Sequence, residues 1–253
     1  LGIYPREWDG QFCSKKLNHR NTSSSSTQQK DISIVGLNVG GISSKFRYNI
    51  LTEYIKKHQI IVFSETKLSK IPKKEFPDYN IYSFKQKTRL HGLSVLLKNN
   101  VFSYVKQLNA KSKCVLWLLL GTSEVKLNFI IGAVYVPGYN SKFSDEHDFD
   151  IISEDILLFR EKFNLPFTLM GDFNSHIGNL SDCKNSENST RASKDIKVDT
   201  YGRKLITMCQ DLNLKIVNGC YGRDSEIGNF TCHKKSRNNL FESVVDYCIV
   251  SEC

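Results

Sequence analysis

Two packed β-sheets with helices on their outer faces are what this chain of 253 residues predicts. Three observations carry the prediction. Ten segments read as strands and only three as helices. Several strand segments are apolar without a break, as strands covered on both faces are. The chain, at 40% hydrophobic residues, is long enough for one large domain with a substantial core.

The elements can be justified in order. Residues 1–30 include "NHRNTSSSSTQQK", a polar stretch of low complexity, and read as a disordered arm or the end of something upstream, so the domain is expected over 31–253. From there the strand segments are "ISIVGLNV", "IIVFSE", "YNIYSFK", "LSVLLK", "VLWLLLG", "KLNFIIGAVYV", "PFTLMGD", "LKIVNG", "GNFTCH" and "SVVDYCIVS". Helices are predicted over 45–57, with Phe46, Ile50, Leu51, Tyr54 and Ile55 at helical spacing, and over 146–163, with Phe149, Ile152, Ile156, Leu157 and Phe159. A third, over 201–212, places Leu205, Met208, Cys209 and Leu212 on one face behind a cap at Asp199 or Thr200. The polar stretch from Asn179 to Lys197 is expected to be mobile.

The formal net charge is +9, of which residues 1–30 contribute +3 through five Lys/Arg against two acids, so the domain itself is basic. A polyanion is the expected partner, nucleic acid before membrane. No apolar run reaches the length of a membrane span; the longest, "CVLWLLLG" at 114–121, reads as a buried strand. The eight cysteines form no CxxC pair and read as reduced core thiols, which points to cytoplasm or nucleus.

Polar residues recur where apolar runs end: Asn38, Glu65 in "VFSETK", Tyr135 in "AVYVPG", Asp172 and Asn174 in "GDFN", and Asp246 in "SVVDY". Strand ends hold side chains at fixed separations, and an oxygen-rich set suits a hard cation such as magnesium. Taken singly, each has a structural reading. "GDFN" is a tight turn, Asn38 steadies a loop, Glu65 caps the next segment, and Asp246 pairs with a core Tyr or Arg.

As an ordered set these motifs resemble the endonuclease/exonuclease/phosphatase superfamily over about residues 31–253. The matching pieces are "LNVGG", "SETKL", "GLSVLLKNN", "AVYVPG", "GDFNSHIG", "LKIVNG" and "SVVDYCIVS". With "YGRKLITMCQDLNLKIVNG" and "GNFTCH", the chain is most similar to the apurinic-type endonuclease domains of non-LTR retrotransposons. The resemblance implies a four-layer αββα sandwich of two mixed sheets flanked by helices. It also implies Mg²⁺-dependent (or Mn²⁺-dependent) phosphodiester hydrolysis of DNA. By motif, Glu65 is implied as principal metal ligand with Asn38 beside it, and Asp172 as the group that positions and deprotonates the attacking water. Asn174 and Tyr135 are implied to hold the phosphate, and Asp246 to orient a histidine.

That histidine is the departure. The superfamily carries it in a Ser-Asp-His motif on a final strand, and no such tripeptide occurs before Cys253. The final strand is therefore expected to be absent, leaving Asp246 on a sheet with an unpaired edge, and nicking is expected to be impaired. His176 lies beside the site and, with Arg89 and Lys67, is a candidate substrate-binding residue, although its ring reads as that of a solvated loop residue. Lys67, with Lys70, Lys73, Lys74, Lys85, Lys87 and Arg89, reads as a basic path for DNA, and "HKKSR" at 233–237 as a second basic group. Two alternatives stand beside the nicking endonuclease, itself expected as a monomer with a downstream reverse transcriptase in the intact product. One is an inactive remnant that binds metal or DNA; the other is a phosphatase or phosphodiesterase on a small substrate.

Overall fold

The computed structural model describes residues 32–84, 92–122, 128–184, 191–235 and 240–251; the arm expected over 1–30 lies outside them. Strand alternation builds the layers. In β2 (Ile60–Ser64), Ile60 and Val62 point to one side and Ile61 and Phe63 to the other. Successive strand residues face opposite sides of a sheet, so an unbroken apolar run is what a strand buried on both faces needs. The same division occurs in β6 (Val115–Thr122): Leu116, Leu118 and Leu120 enter the core between the sheets, while Val115, Trp117 and Leu119 face the helices.

One sheet has four strands in the order β1 (Ile34–Asn38), β2, β4 (Leu93–Lys98), β3 (Tyr79–Phe84); β1 runs parallel to β2 and the rest are antiparallel. The other has six, in the order β5 (Phe102–Gln107), β6, β7 (Asn128–Tyr135), β8 (Phe167–Asp172), β12 (Asp246–Ser251), β9 (Leu214–Ile216), with β7 and β8 parallel. β10 (Cys232–Lys235) and β11 (Leu240–Ser243) form a separate antiparallel hairpin. The two large sheets face each other across a core that includes Val62, Val95, Leu118, Ile131 and Met170.

Helices cover both outer faces, giving the expected four layers. α1 (Asn49–Ile55) packs Leu51, Tyr54 and Ile55 on the outside of the four-stranded sheet, and is shorter than the predicted 45–57 because 42–48 form turns instead. α2 (Asp148–Phe163) buries Phe149, Ile152, Ile156 and Phe159 on the six-stranded sheet. Leu157, expected on that face, is 54% exposed. Asp148 and Asp150 in its first turn and Arg160 and Lys162 in its last complement the helix dipole, and Asn164 ends it in the left-handed conformation (φ 47°). α3 (Thr200–Asp211) begins at Asp199, whose carboxylate accepts from Gly202 N at 2.6 Å, as the cap reading required.

Several expectations are corrected. β5 and β11 went unread because "FSYVKQ" and "LFES" lie on exposed edges, with no continuous apolar run to mark them. β12, which carries Asp246, lies between β8 and β9, and the edges of its sheet are β5 and β9. Of the six described cysteines, Cys114, Cys209 and Cys248 are buried, but Cys183, Cys220 and Cys232 are only partly so. The 179–197 stretch is anchored at both ends of its undescribed part: buried Asp182 accepts from Ile216 N at 2.6 Å, and buried Arg191 donates to Asn218 O at 2.9 Å.

Candidate active site

The same alternation that divides the core brings the polar strand ends together. Gly36 of β1 faces Met170 across the sheets, so Asn38, two residues on, lies on that inner side. Tyr135 belongs to the inner core, Asp172 is two residues past Met170, and Asp246 is two residues before inner-facing Cys248. Register then aligns them: Asp172 is the direct partner of Tyr135 on β7 and of Asp246 on β12. Period-two spacing and strand pairing therefore deliver four polar side chains to one end of the space between the sheets.

Backbone shape sets the details. Gly171 adopts φ 145°, and a Cβ there would lie 2.0 Å from the Val134 carbonyl oxygen, so only glycine lets β8 approach β7 this closely before Asp172. Val136 N then donates to Asp172 O and Phe173 N to Val245 O, each at 2.9 Å, fixing the chain on both sides. Glu65 follows β2 at φ 52°, an unfavourable conformation for a glutamate. It is held there by Val39 N to Ser64 O, Gly41 N to Glu65 O and Thr66 N to Gly92 O, which stitch the ends of β1, β2 and β4 together. Strain maintained by surrounding bonds is found where a side chain must be aimed.

The side chains form one network. Asn38 Nδ2 donates to Asp172 Oδ2 at 2.7 Å and to Glu65 Oε1 at 3.1 Å, so a single amide ties both carboxylates. Asn38 Oδ1 accepts from Gly40 N at 3.1 Å, as the loop-steadying reading of Asn38 expects. Asp172 Oδ1 accepts from Asn174 N at 2.8 Å, and Asn174 Nδ2 donates to Val136 O at 2.9 Å. Burial, then the negative charges of Glu65 and Asp172 and a hydrogen bond to Glu65, push the Tyr135 phenol far above its ordinary range, so it keeps its proton and acts as a donor. Asp246 is likewise raised well above the usual carboxylate range by burial and by the charges of Asp172 and Glu65, with a bond from Thr231 acting the other way.

The remaining predicted residues fall in different places. Lys67 is exposed two positions beyond Glu65, and its Cδ lies 3.3 Å from where a Cβ of Gly41 would stand. Arg89 lies outside the described residues. His176 is not solvated: its side chain is 19% exposed, and Nδ1 meets Asp195 Oδ2 at 2.7 Å, an oxygen that also accepts from Val244 N. The ring is thereby tied to the turn that leads into β12. Sequence reading passed over Thr231, whose Oγ1 accepts from Val245 N and Asp246 N at 3.1 Å each. It also passed over Asn218, which bonds Asp246 O and Cys248 N. Both sit inside quoted motifs, "GNFTCH" and "LKIVNG", and that was their signal.

Among the described residues no three His, Cys, Asp or Glu side chains form a group able to hold a metal by themselves. The donor set nevertheless fits magnesium, which takes one or two carboxylates and keeps several waters. Glu65 and Asp172 bring two carboxylates, hard oxygen donors, into one cluster tied by the Asn38 amide nitrogen, while Asn38 Oδ1 accepts from Gly40 N.

Carboxylates, amides and a phenol thus converge at one end of a sheet-on-sheet α/β sandwich. Residues 35–252 match the Endonuclease/Exonuclease/phosphatase family, and the chain belongs to it. Members are hydrolytic nucleases and phosphatases that generally use divalent metals. No curated protein matches the sequence. Among solved structures, the endonuclease domain of TRAS1, a telomere-specific non-LTR retrotransposon, superposes with TM-score 0.58 at 14% identity, over 88% of this chain and 86% of that one. The 3′ phosphatase NExo from Neisseria, bound to product DNA hairpin, gives 0.60 at 18% identity over 87% of each chain. The Xenopus laevis APE2 catalytic domain gives 0.61 at 13% over 86% of this chain and 82% of that one. These likenesses establish the fold. No helix among the described residues is long and apolar enough to cross a membrane.

Proposed function

We propose that this chain is a Mg²⁺-dependent DNA endonuclease of the retrotransposon type, nicking a target strand to supply a primer for reverse transcription. The observation that carries the reading is the single network of Asn38, Glu65, Asp172 and Asn174 beneath Tyr135 and Asp246. Glu65, with Asn38 beside it, would hold the cation, which when bound neutralises charge on the scissile phosphate. Asp172 accepts two hydrogen bonds that orient its carboxylate, and in this role it aligns the attacking water and takes its proton. Tyr135, kept protonated, and the Asn174 amide donate to the phosphate oxygens as negative charge builds on them.

DNA is favoured as the substrate by the net charge of +9 and by exposed Lys67, Lys70, Lys73 and Lys74 beyond Glu65. It is favoured too by the β10–β11 hairpin, which carries exposed Leu240 and Phe241 and whose approach residue Thr231 bonds Asp246 N. The test is conversion of supercoiled plasmid to open circles in Mg²⁺ by the chain and by Asp172→Ala. Nicking lost in Asp172→Ala supports the assignment. Hydrolysis of bis(p-nitrophenyl) phosphate without any plasmid nicking would overturn DNA as substrate, and nicking unaffected by Asp172→Ala would overturn the site.

A further inference from the structure

We propose that Tyr139 is a nucleobase subsite: its ring stacks on an unpaired base next to the scissile phosphate. This inference rests on the DNA reading above and specifies which nucleic acid the site takes. The loop after β7 lies against the proposed phosphate-binding amide. Val136 O accepts from Asn174 Nδ2 at 2.9 Å, and a Cβ at Gly138 would meet the Asn174 side chain at 3.8 to 4.0 Å. Tyr139 is the next residue, four positions beyond Tyr135.

The loop is built to hold that ring still. Ser141 N donates to Gly138 O at 2.7 Å and Ser144 N to Ser141 O at 3.0 Å. Ser144 Oγ reaches the carbonyl oxygens of Tyr139 and Ser141, at 3.0 and 2.6 Å. Tyr201 then braces the ring, with centroids 5.4 Å apart and planes at 79°. Tyr201 is itself buried, packs on Phe149 of α2 and donates its hydroxyl to Asp145 O, so the brace belongs to the core. Even so, Tyr139 stays 55% exposed. A braced aromatic ring that still meets solvent, three residues beyond the carbonyl that binds the Asn174 amide, has already lost the conformational freedom that binding would otherwise cost.

The chemistry of its partner follows. The loop carries charges of both signs, Lys142 against Asp145 and Glu146, all exposed, so it does not select by charge. A tyrosine face offers stacking, which any base can accept, but only a base free of its neighbours has a face to give. The preferred substrate is therefore DNA with an unpaired or opened base beside the cleavage position.

The experiment compares wild type with Tyr139→Ala, Tyr139→Leu and Tyr139→Trp on a duplex with one bulged base at the nick site. Tyr139→Ala is expected to raise KM by about 10–100-fold with kcat nearly unchanged, the size of one base–aromatic stack. Tyr139→Trp should restore it, whereas Tyr139→Leu, which fills space without a π face, should not. A binding readout accompanies the kinetics: with 2-aminopurine as the bulged base and Asp172→Asn as the non-cleaving background, stacking on Tyr139 quenches fluorescence and Tyr139→Ala abolishes the quench. The proposal is overturned if wild type cleaves the bulged duplex and Tyr139→Ala matches it in KM and quench, or if Tyr139→Leu rescues as well as Tyr139→Trp. If wild type neither binds nor cleaves any DNA, the DNA reading falls and this inference with it.

Discussion

Asn38→Asp changes a single atom type and reverses the electrostatics of the network. The amide nitrogen sits 2.7 Å from Asp172 Oδ2 and 3.1 Å from Glu65 Oε1, so the substitution replaces two donated hydrogen bonds by two carboxylate contacts. At such separations, and an effective dielectric of about 20, each contact would repel by about 5–6 kcal/mol. The real loss is smaller, because protonating one ordinary carboxyl at neutral pH costs only about 4 kcal/mol and relieves the clash. Asn38 is also exposed, and water screens part of what remains. We expect a net loss of about 2–3 kcal/mol, or about 4–12 °C in Tm for a domain of this size, in EDTA. With 10 mM Mg²⁺ the added carboxylate meets a cation and the gap should narrow, whereas Asn38→Ala, which adds no charge, should gain no such rescue. Thermal unfolding by circular dichroism, with and without metal, reads both effects. Equal Tm for wild type and Asn38→Asp in EDTA would refute the bridging role of the amide; a Tm gap unmoved by Mg²⁺ would refute the metal's place beside it.

Further outcomes follow from the same geometry. Glu65→Gln removes the ligand charge that dominates hard-cation affinity, so Mg²⁺ or Mn²⁺ binding by calorimetry should weaken about tenfold or more; unchanged binding would move the metal elsewhere. Affinity for a labelled duplex should fall steeply between 50 and 200 mM salt, as for any partner held by lysine–phosphate contacts, and a flat response in fluorescence anisotropy would count against DNA. Tyr79 donates its hydroxyl to Ile55 O and His58 O at 2.8 and 2.9 Å, and burial pushes the phenol up from 10.0 to about 12. Between those values the unfolded chain has lost a proton that the folded chain keeps, so stability falls as pH rises through that window. Tyr79→Phe should cost about 1–3 kcal/mol at neutral pH by removing the donor to His58 O, while Ile55 O keeps the bond from His58 N, and should flatten the alkaline decline in urea unfolding.

The sequence by itself determined the layers and most members of the polar cluster at the strand ends. Unbroken apolar runs such as "VLWLLLG" belong in strands covered on both sides, and the 3.6-residue spacing of Phe149, Ile152 and Ile156 belongs on a helix with one buried face. The positions of Asn38, Glu65, Tyr135, Asp172 and Asp246 at strand ends were equally legible, because a polar residue closing an apolar run stands out against its background. Two edge strands did not stand out: β5 alternates weakly and β11 is almost wholly exposed, so burial left little mark on their composition. Only the tertiary structure decided which strands are neighbours. Placing β12 between β8 and β9 set the Asp246 carboxyl opposite Asp172, where burial and charge raise it. It also drew His176 out of solvent and onto Asp195, 19 residues away, and gathered Thr231 and Asn218 around β12. Period and composition are local properties that a chain carries wherever it folds. Pairing, enclosure and the field of distant charges arise only when segments far apart in sequence share one place, and no window of residues records them.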